Sequence, residues 1–389
     1  MKKKIGILGS TGSIGESTVK IIQNDKKDFD VIFLSTNTNV KKLLKQSLIL
    51  KPKSVIIFDK KNHLKYKKKF TNKKIKVFNS FKDLKKKSLK TKIDYIMCAI
   101  TGLAGLDSTI NCIDITKNIA IANKESIICA WSLIEKRLIK YKTKFIPIDS
   151  EHFSIWSLLQ NESINSVEKI IITASGGPFL NYKLNKLKNV KPKEAIRHPN
   201  WNMGKKISID SATLMNKVFE IIEAQRIFKI DIKKFEILIH PKSYIHSILK
   251  FINGQIKILA HDADMKIPIF NSIYFKKNKK IRTKKLNIKV LNNLELSKPN
   301  INQFPALNIL KMIPNKTSLF ETILVSANDE LVNCYLEGKV KYTDIYENLI
   351  KIIQIKAFKK YLNISPKNID QISKLMKEVR LKCNDLCII

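Results

Sequence analysis

Short apolar runs alternate with amphipathic stretches through residues 1–149. Lys4–Leu8 is an apolar run of strand length that stops at Gly9, and a helical pattern starts near Ile14. Similar runs follow at Val31–Ser35, Val55–Phe58, Tyr95–Ala99 and Ile119–Ala122, with helical spacing between them, as in Val40–Leu50. Strands alternating with helices predict a parallel, doubly wound sheet. The lysine-rich stretches within 60–92 read as surface helices or loops and carry no repeat.

Beyond this part the pattern changes. Phe145–Ile148 predicts a strand leading into Asp149-Ser150-Glu151, and Lys169–Thr173 predicts a strand ending in the loop Ser175-Gly176-Gly177-Pro178. A long loop containing His198-Pro199-Asn200-Trp201 comes next, then a helix over Ser211–Phe228 and strands at Phe235–His240 and Ser247–Phe251. The polar tract Lys276–Asn287 reads as a linker. From Gln303 onward the chain is mainly helical, with amphipathic spacing in Glu321–Glu337 and Tyr342–Tyr361. The expected class is α/β: an N-terminal doubly wound, Rossmann-like sheet, an α+β middle domain and a helical C-terminal domain. The expected boundaries are 1–149, 150–276, a linker at 277–302, and 303–389.

Composition narrows the functional classes. A chain of 389 residues is too long for one compact core. No apolar run approaches the length of a membrane span, and the N-terminal run Ile5–Leu8 is too short for a signal peptide, so a cytoplasmic, soluble protein is expected. The six cysteines are scattered and read as free thiols; Cys383 and Cys387 have no second His/Cys pair nearby in sequence to make a zinc site. The formal charge is +40, but only five of the 73 basic residues are arginine, and the lysines run through the whole chain. Nucleic-acid readers use arginine for bidentate contacts, so a solvated lysine surface is the better reading. No nucleic-acid or membrane partner is expected, and the positive field should draw in small anions.

Gly9-Ser10-Thr11-Gly12-Ser13-Ile14-Gly15 lies between the first strand and its helix. Small residues there let backbone amides approach a pyrophosphate at a helix N-terminus; a tight structural turn is the alternative. After the second strand, Ser35–Asn39 holds no Asp or Glu to take a ribose 2′-hydroxyl, which argues against strict NAD use. Lys41 and Lys42 either face a 2′-phosphate or are ordinary surface lysines.

Asp149 and Glu151, two apart in an extended segment, would point to one side. Close carboxylates call for a counter-cation, and Mg²⁺ or Mn²⁺ suits oxygen ligands; a solvated strand end is the alternative for such a pair taken alone. Asn216, Lys217 and Glu220 share a helical face by their i, i+3, i+4 spacing. Ser175, Ser211, Asn216 and Lys217 form a set able to hold a phosphate dianion, although Asp210 or Ser211 could equally cap the helix. Among six histidines, His198 stands out because its Pro-Asn-Trp loop could close over a ligand. Trp201 and Met203 would then form a lid, or simply pack in the core, and His240 and His246 read as structural.

These stretches, GSTGSIG at 9–15, ANKES at 122–126, PIDSEH at 147–152, SGGPF at 175–179, HPNWNMGKKISIDSATLMNK at 198–217 with Glu220, and HPKSYIHS at 240–247, resemble the 1-deoxy-D-xylulose 5-phosphate reductoisomerase family. The resemblance spans nearly the whole chain in order. It implies a metal-dependent conversion of that sugar phosphate, with NADPH, to 2-C-methyl-D-erythritol 4-phosphate for isoprenoid synthesis, by a homodimer. By resemblance, Asp149, Glu151 and Glu220 would ligate Mg²⁺ or Mn²⁺. Ser175, Ser211, Asn216 and Lys217 would hold the phosphate. Lys124, Ser150 and His198 would contact substrate, with Lys124, Glu151 and His198 the catalytic set. Thr11, Gly12, Ser13, Ile14, Asn39, Asn123, Glu125 and Gly204 would contact NADPH. Two positions depart from the family pattern. Asn37-Thr38-Asn39 stands where Gly-Lys-Asn is frequent, and Ala174 replaces a glycine beside Ser175. Competing readings are a plain NADP-dependent dehydrogenase and a basic nucleic-acid-binding protein.

Overall fold

The computed structural model describes residues 1–88, 91–201, 203–275 and 277–387. Asn202, inside the 198–217 motif, and Lys276, at the head of the expected linker, lie outside the described residues.

The alternating pattern folds as expected. In chain order come β1 (Lys3–Leu8), α1 (Ser13–Asn24), β2 (Phe29–Thr36), α2 (Val40–Leu50), β3 (Ser54–Ile57), α3 (Lys60–Thr71), β4 (Lys76–Phe78), α4 (Phe81–Ser88), β5 (Tyr95–Cys98), α5 (Leu106–Ile113), β6 (Asn118–Ile121), α6 (Lys124–Tyr141) and β7 (Lys144–Pro147). The seven strands are all parallel and ordered β4-β3-β2-β1-β5-β6-β7. Helices on both faces of a parallel sheet bury its strands on both sides. Every residue of β3 and of β5 is accordingly buried. The strand order reverses beside β1, so the turn after β1 lies at the sheet's topological switch point, where open α/β sheets bind ligands.

The chain continues with α7 (Ser150–Leu158), β8 (Val167–Ala174), α8 (Leu184–Leu187), α9 (Pro192–Ala195), α10 (Lys205–Ala212), α11 (Met215–Phe228), β9 (Phe235–Ile239), β10 (Ile245–Phe251), β11 (Ile256–Ala260) and α12 (Lys266–Ile273). It ends with α13 (Ile288–Leu291), α14 (Phe320–Leu336), α15 (Tyr342–Ile353) and α16 (Ile369–Cys387). A second sheet has the order β11-β10-β8-β9, in which only β8 and β9 run parallel. Both α7 and α11 lie against it.

Two compact units result. The first holds Met1–Ser126, Leu133–Asp149 and Met265–Ile281; the second holds Ile127–Ser132, Ser150–Asp264 and Arg282–Ile389. In the first unit α12 packs on α1, and the Tyr95 and Ser272 hydroxyls meet at 2.7 Å. In the second, Arg226 of α11 pairs with Glu321 of α14 at 2.5 Å and donates to the Pro314 and Asn315 carbonyls, each at 2.7 Å.

Three details differ from expectation. The helix expected over Ser211–Phe228 is two helices, broken at Leu214, whose φ is +58°. The Thr213 hydroxyl accepts the Met215 N–H, so a side chain competes with the helical ladder at this point. The segment Asp149–Glu151 is not extended, because α7 already begins at Ser150. The helix expected over Tyr342–Tyr361 ends at Ile353, and a separate 3₁₀ segment covers Lys356–Asn363. No helix among the described residues is long and apolar enough to cross a membrane.

Candidate active site

The glycine-rich turn is built for close backbone approach. Gly9 has φ +75°, and a side chain there would meet the Ala99 carbonyl oxygen at 2.6 Å. Gly15 lets α1 press on the turn: a Cβ would lie 2.2 Å from the Gly9 oxygen. Gly12 is the N-cap residue of α1 and, like Ser13, is exposed, so the helix N-terminus faces solvent with its orphan amides. The Ser10 hydroxyl donates to Gln46 at 2.8 Å, and Gln46 returns a bond to the Ser10 carbonyl at 2.8 Å. Thr11 meets Thr36 at 2.8 Å. Together these fix the turn to α2 and to the end of β2.

Asn37, Thr38 and Asn39 are exposed, and Asn39 caps α2 by accepting the Lys42 N–H at 3.2 Å. Of the two lysines with open roles, Lys42 pairs with Glu16 at 2.5 Å. Asn123 caps α6 through the Ser126 N–H at 3.0 Å, and its amide donates to the Ile100 carbonyl at 2.8 Å. Lys124 is buried and lies 3.2 Å from Asp149. Gly204 belongs to the second unit and is the exposed N-cap residue of α10.

Asp149, Glu151 and Glu220 each offer a carboxylate oxygen, and these atoms lie within 4.8 Å of one another. Two peptide bonds and the first turn of α7 place Asp149 beside Glu151, while α7 and α11, both of the second unit, place Glu151 beside Glu220. The i, i+2 argument for an extended strand is thus replaced by a strand-to-helix turn. The Glu151 carboxylate, in the first turn of α7, accepts the Ser150 hydroxyl at 2.6 Å and benefits from the helix N-terminus.

The face of α11 is as the spacing predicted. Lys217 donates to Glu151 and to Glu220, each at 2.6 Å, and the Asn216 amide donates to Glu220. Burial works against the Lys217 ammonium, yet Glu151 and Glu220 beside it outweigh burial and hold its pKa above the ordinary lysine value. A buried cation bridging two carboxylates marks a place that requires positive charge. The all-oxygen acidic set fits a hard divalent ion. His152 and Glu223 went unremarked in the sequence. Both are buried, their Nδ1 and carboxylate oxygen lie 3.6 Å apart, and with Asp149 they form a second set within 4.8 Å. Glu223 follows Glu220 by one helical turn, and that spacing was the available signal.

Ser175 and His198 meet on the other flank of this unit's site. Nδ1 of His198 accepts the N–H groups of Asn200 at 3.1 Å and Trp201 at 3.0 Å. That nitrogen is therefore unprotonated, and Nε2–H is free to donate to the Ser175 hydroxyl at 2.8 Å. Burial and then the Lys217 ammonium bring the His198 pKa down to about 4. Ser175 also accepts the Gly177 N–H at 3.1 Å, leaving its own proton to point elsewhere. Gly176 and Gly177 take φ of +81° and +67°, and a Cβ on Gly177 would lie 2.8 Å from the Ala212 Cα. Ala174 closes β8 and is not among the positive-φ residues, so the missing glycine costs nothing in backbone strain. The Asn200 amide holds the loop by donating to the Pro241 carbonyl at 2.5 Å and to Ser243 at 2.8 Å. Trp201 sits edge-on to His246, with ring centroids 6.1 Å apart.

A titration follows from the His198 contacts. Its unfolded pKa is near 6.5, so the unfolded chain binds a proton there that the folded chain refuses until about pH 4. The contribution of this group to stability is present above pH 6.5 and is lost as the pH falls toward 4. Nitrogen NMR of the ligand-free protein should show a neutral Nε2–H imidazole at pH 6 and a midpoint near 4; a midpoint near 6.5 would contradict the contacts described.

Family comparison settles the relationship. Models of the 1-deoxy-D-xylulose 5-phosphate reductoisomerase match residues 5–131, and models of its C-terminal domains match 145–228 and 261–382. A protein of that name from Pelagibacter ubique (strain HTCC1062) is 55% identical over 387 residues, covering 99% of this chain and 100% of that one. The chain belongs to the 1-deoxy-D-xylulose 5-phosphate reductoisomerase family. The structure also resembles that of the Zymomonas mobilis reductoisomerase in complex with NADPH, with a TM-score of 0.89 and 31% identity over 100% of this chain and 99% of that one. A reductoisomerase in complex with NADPH, fosmidomycin and magnesium gives a TM-score of 0.91 at 29% identity, over 99% of this chain and 98% of the other.

Proposed function

We propose that the chain converts 1-deoxy-D-xylulose 5-phosphate to 2-C-methyl-D-erythritol 4-phosphate with NADPH and Mg²⁺ or Mn²⁺, as its family does. The observation that carries this reading is the buried Glu151–Lys217–Glu220 constellation with Asp149 at its edge. Hydride transfer alone does not require three convergent carboxylates, whereas a divalent ion that chelates substrate oxygens does. Bound at this site and at the glycine-rich turn, the divalent ion supplies Lewis-acid polarisation and NADPH the hydride.

The chain's own residues bind and orient. Ser175, with its proton free, Ser211, Asn216 and Lys217 hold the substrate phosphate, and that grip provides binding energy for closing the Trp201–Met203 lid and excluding water. Asp149, Glu151 and Glu220 are the metal ligands. Glu151, Lys124, Ser150 and His198 face the sugar. Thr11, Gly12, Ser13, Ile14, Asn39, Asn123, Glu125 and Gly204 hold NADPH. In this reading residues 1–149 bind cofactor, 150–276 carry the metal site and lid, 277–302 link, and 303–389 support. A cytoplasmic location is part of the same proposal.

A homodimer is supported by β11, an edge strand that exposes Ile256 and Ile258, with Ile252 exposed just before it. Sedimentation at twice 44.8 kDa is expected, and a monomer would end that part of the reading. The decisive assay is NADPH oxidation with the deoxyxylulose phosphate, with and without Mn²⁺, followed by product NMR. A branched methyl-erythritol carbon chain supports the reading; an unbranched reduced sugar would leave only a dehydrogenase.

A further inference from the structure

Three of the four residues read above as the phosphate cradle flank a break in the chain, and the C-terminal helices hold that break in place. Ser211 is next to last in α10, Leu214 turns the chain with φ +58°, and Asn216 and Lys217 open α11. Such a junction leaves helix-end carbonyls without an intrahelical partner. The carbonyl of Ala212 is one of these, and it accepts the buried Tyr342 hydroxyl of α15 at 2.7 Å.

The other side of Ser211 is held in the same way. The Asp210 carboxylate accepts the amide of Asn328 on α14 at 2.8 Å, and both residues are 1% exposed. Its second oxygen lies 3.0 Å from the Lys206 ammonium, which reaches Asp329 of α14 at 2.8 Å. Ser211 is thus bracketed by two anchored neighbours. The glycine loop leans on the same place, since Gly177 comes so close to Ala212 that only a glycine fits. Both helices that supply the anchors are well fixed, α14 by the Arg226–Glu321 pair and α15 by the edge-on contact of Tyr342 with Phe179, centroids 5.2 Å apart.

We propose that Asn328 and Tyr342 are positioning residues for the phosphate subsite, setting Ser211 and, through the Leu214 turn, Asn216 and Lys217 against the Ser175 loop. Neither side chain touches substrate. They act by fixing two backbone points on either side of a cradle whose donors come from three separate segments. The inference rests on the reading of Ser175, Ser211, Asn216 and Lys217 as the phosphate site.

The test uses the full-length protein and inorganic phosphate as probe. Tyr342→Phe removes one hydroxyl and keeps the ring; Asn328→Leu removes the amide donor at similar volume. Each variant is expected to bind inorganic phosphate roughly tenfold more weakly and to raise KM for the sugar phosphate by a similar factor. The NADPH affinity should stay within about twofold. Asn328→Gln, which restores a donor, should recover part of the loss. A general structural role would lower phosphate, metal and cofactor binding together, and that outcome overturns the proposal. Unchanged phosphate affinity in folded Tyr342→Phe also overturns it. If the unaltered protein itself fails to bind inorganic phosphate, the phosphate-site reading falls first and takes the inference with it.

Discussion

Glu220→Gln is expected to lower metal-dependent turnover by about three orders of magnitude while NADPH binding stays within about twofold. The side chain is 1% exposed on α11, so the substitution keeps volume and packing and removes only the charge. One carboxylate oxygen accepts from Lys217 at 2.6 Å and the other from Asn216. With glutamine there, Lys217 keeps Glu151 as its one anionic partner among the described residues, and the set of three acids falls to two. Affinity for Mn²⁺ should fall with turnover, because two hard anionic ligands hold a divalent ion less well than three. The residues read as NADPH contacts lie, apart from Gly204, in the first unit, so cofactor affinity has no reason to move. Manganese titration of steady-state rates together with calorimetry of NADPH binding provides the check. A variant that keeps its metal-dependent rate would remove Glu220 from the ligand set.

The second large effect is expected at Gly15. An alanine Cβ there would sit 2.2 Å from the Gly9 oxygen and 2.6 Å from the Ser10 Cα, and both are backbone atoms that cannot swing aside. Either α1 moves outward or the turn opens, and both displace the amides that would meet a pyrophosphate. Gly15→Ala should weaken NADPH binding by about ten- to a hundredfold, within the range of overpacking penalties. Fluorescence titration against the unaltered protein provides the check, and an unchanged affinity would mean that the close contact at Gly15 does not govern the cofactor turn.

Much of this architecture could be read before any coordinates. All the strands from Lys3 to Pro147 except β4 announced themselves because a parallel sheet covered on both faces demands unbroken apolar runs. β4 and β11 escaped notice for the opposite reason: both are sheet edges, short and partly exposed, where no such demand operates. The face shared by Asn216, Lys217 and Glu220 followed from helical spacing alone. The carboxylate pair of Asp149 and Glu151 was anticipated through the wrong local geometry, since Ser150 already starts a helix. Proximity in sequence made the pair visible whichever conformation the segment took. Contacts such as Asn328 with Asp210, 118 positions apart, leave no periodic trace, and a single chain offers no way to anticipate them.

Residues 265–281 have a consequence for the order of events during synthesis. They belong to the first unit, where Tyr274 packs on Phe29 at 5.8 Å and donates its hydroxyl to Asp25 at 2.5 Å. During synthesis the first unit should therefore keep a bare flank while the whole of 150–264 is translated. Chaperone dependence in the cell should concentrate in that interval, and a fragment released after residue 149 should precipitate rather than fold.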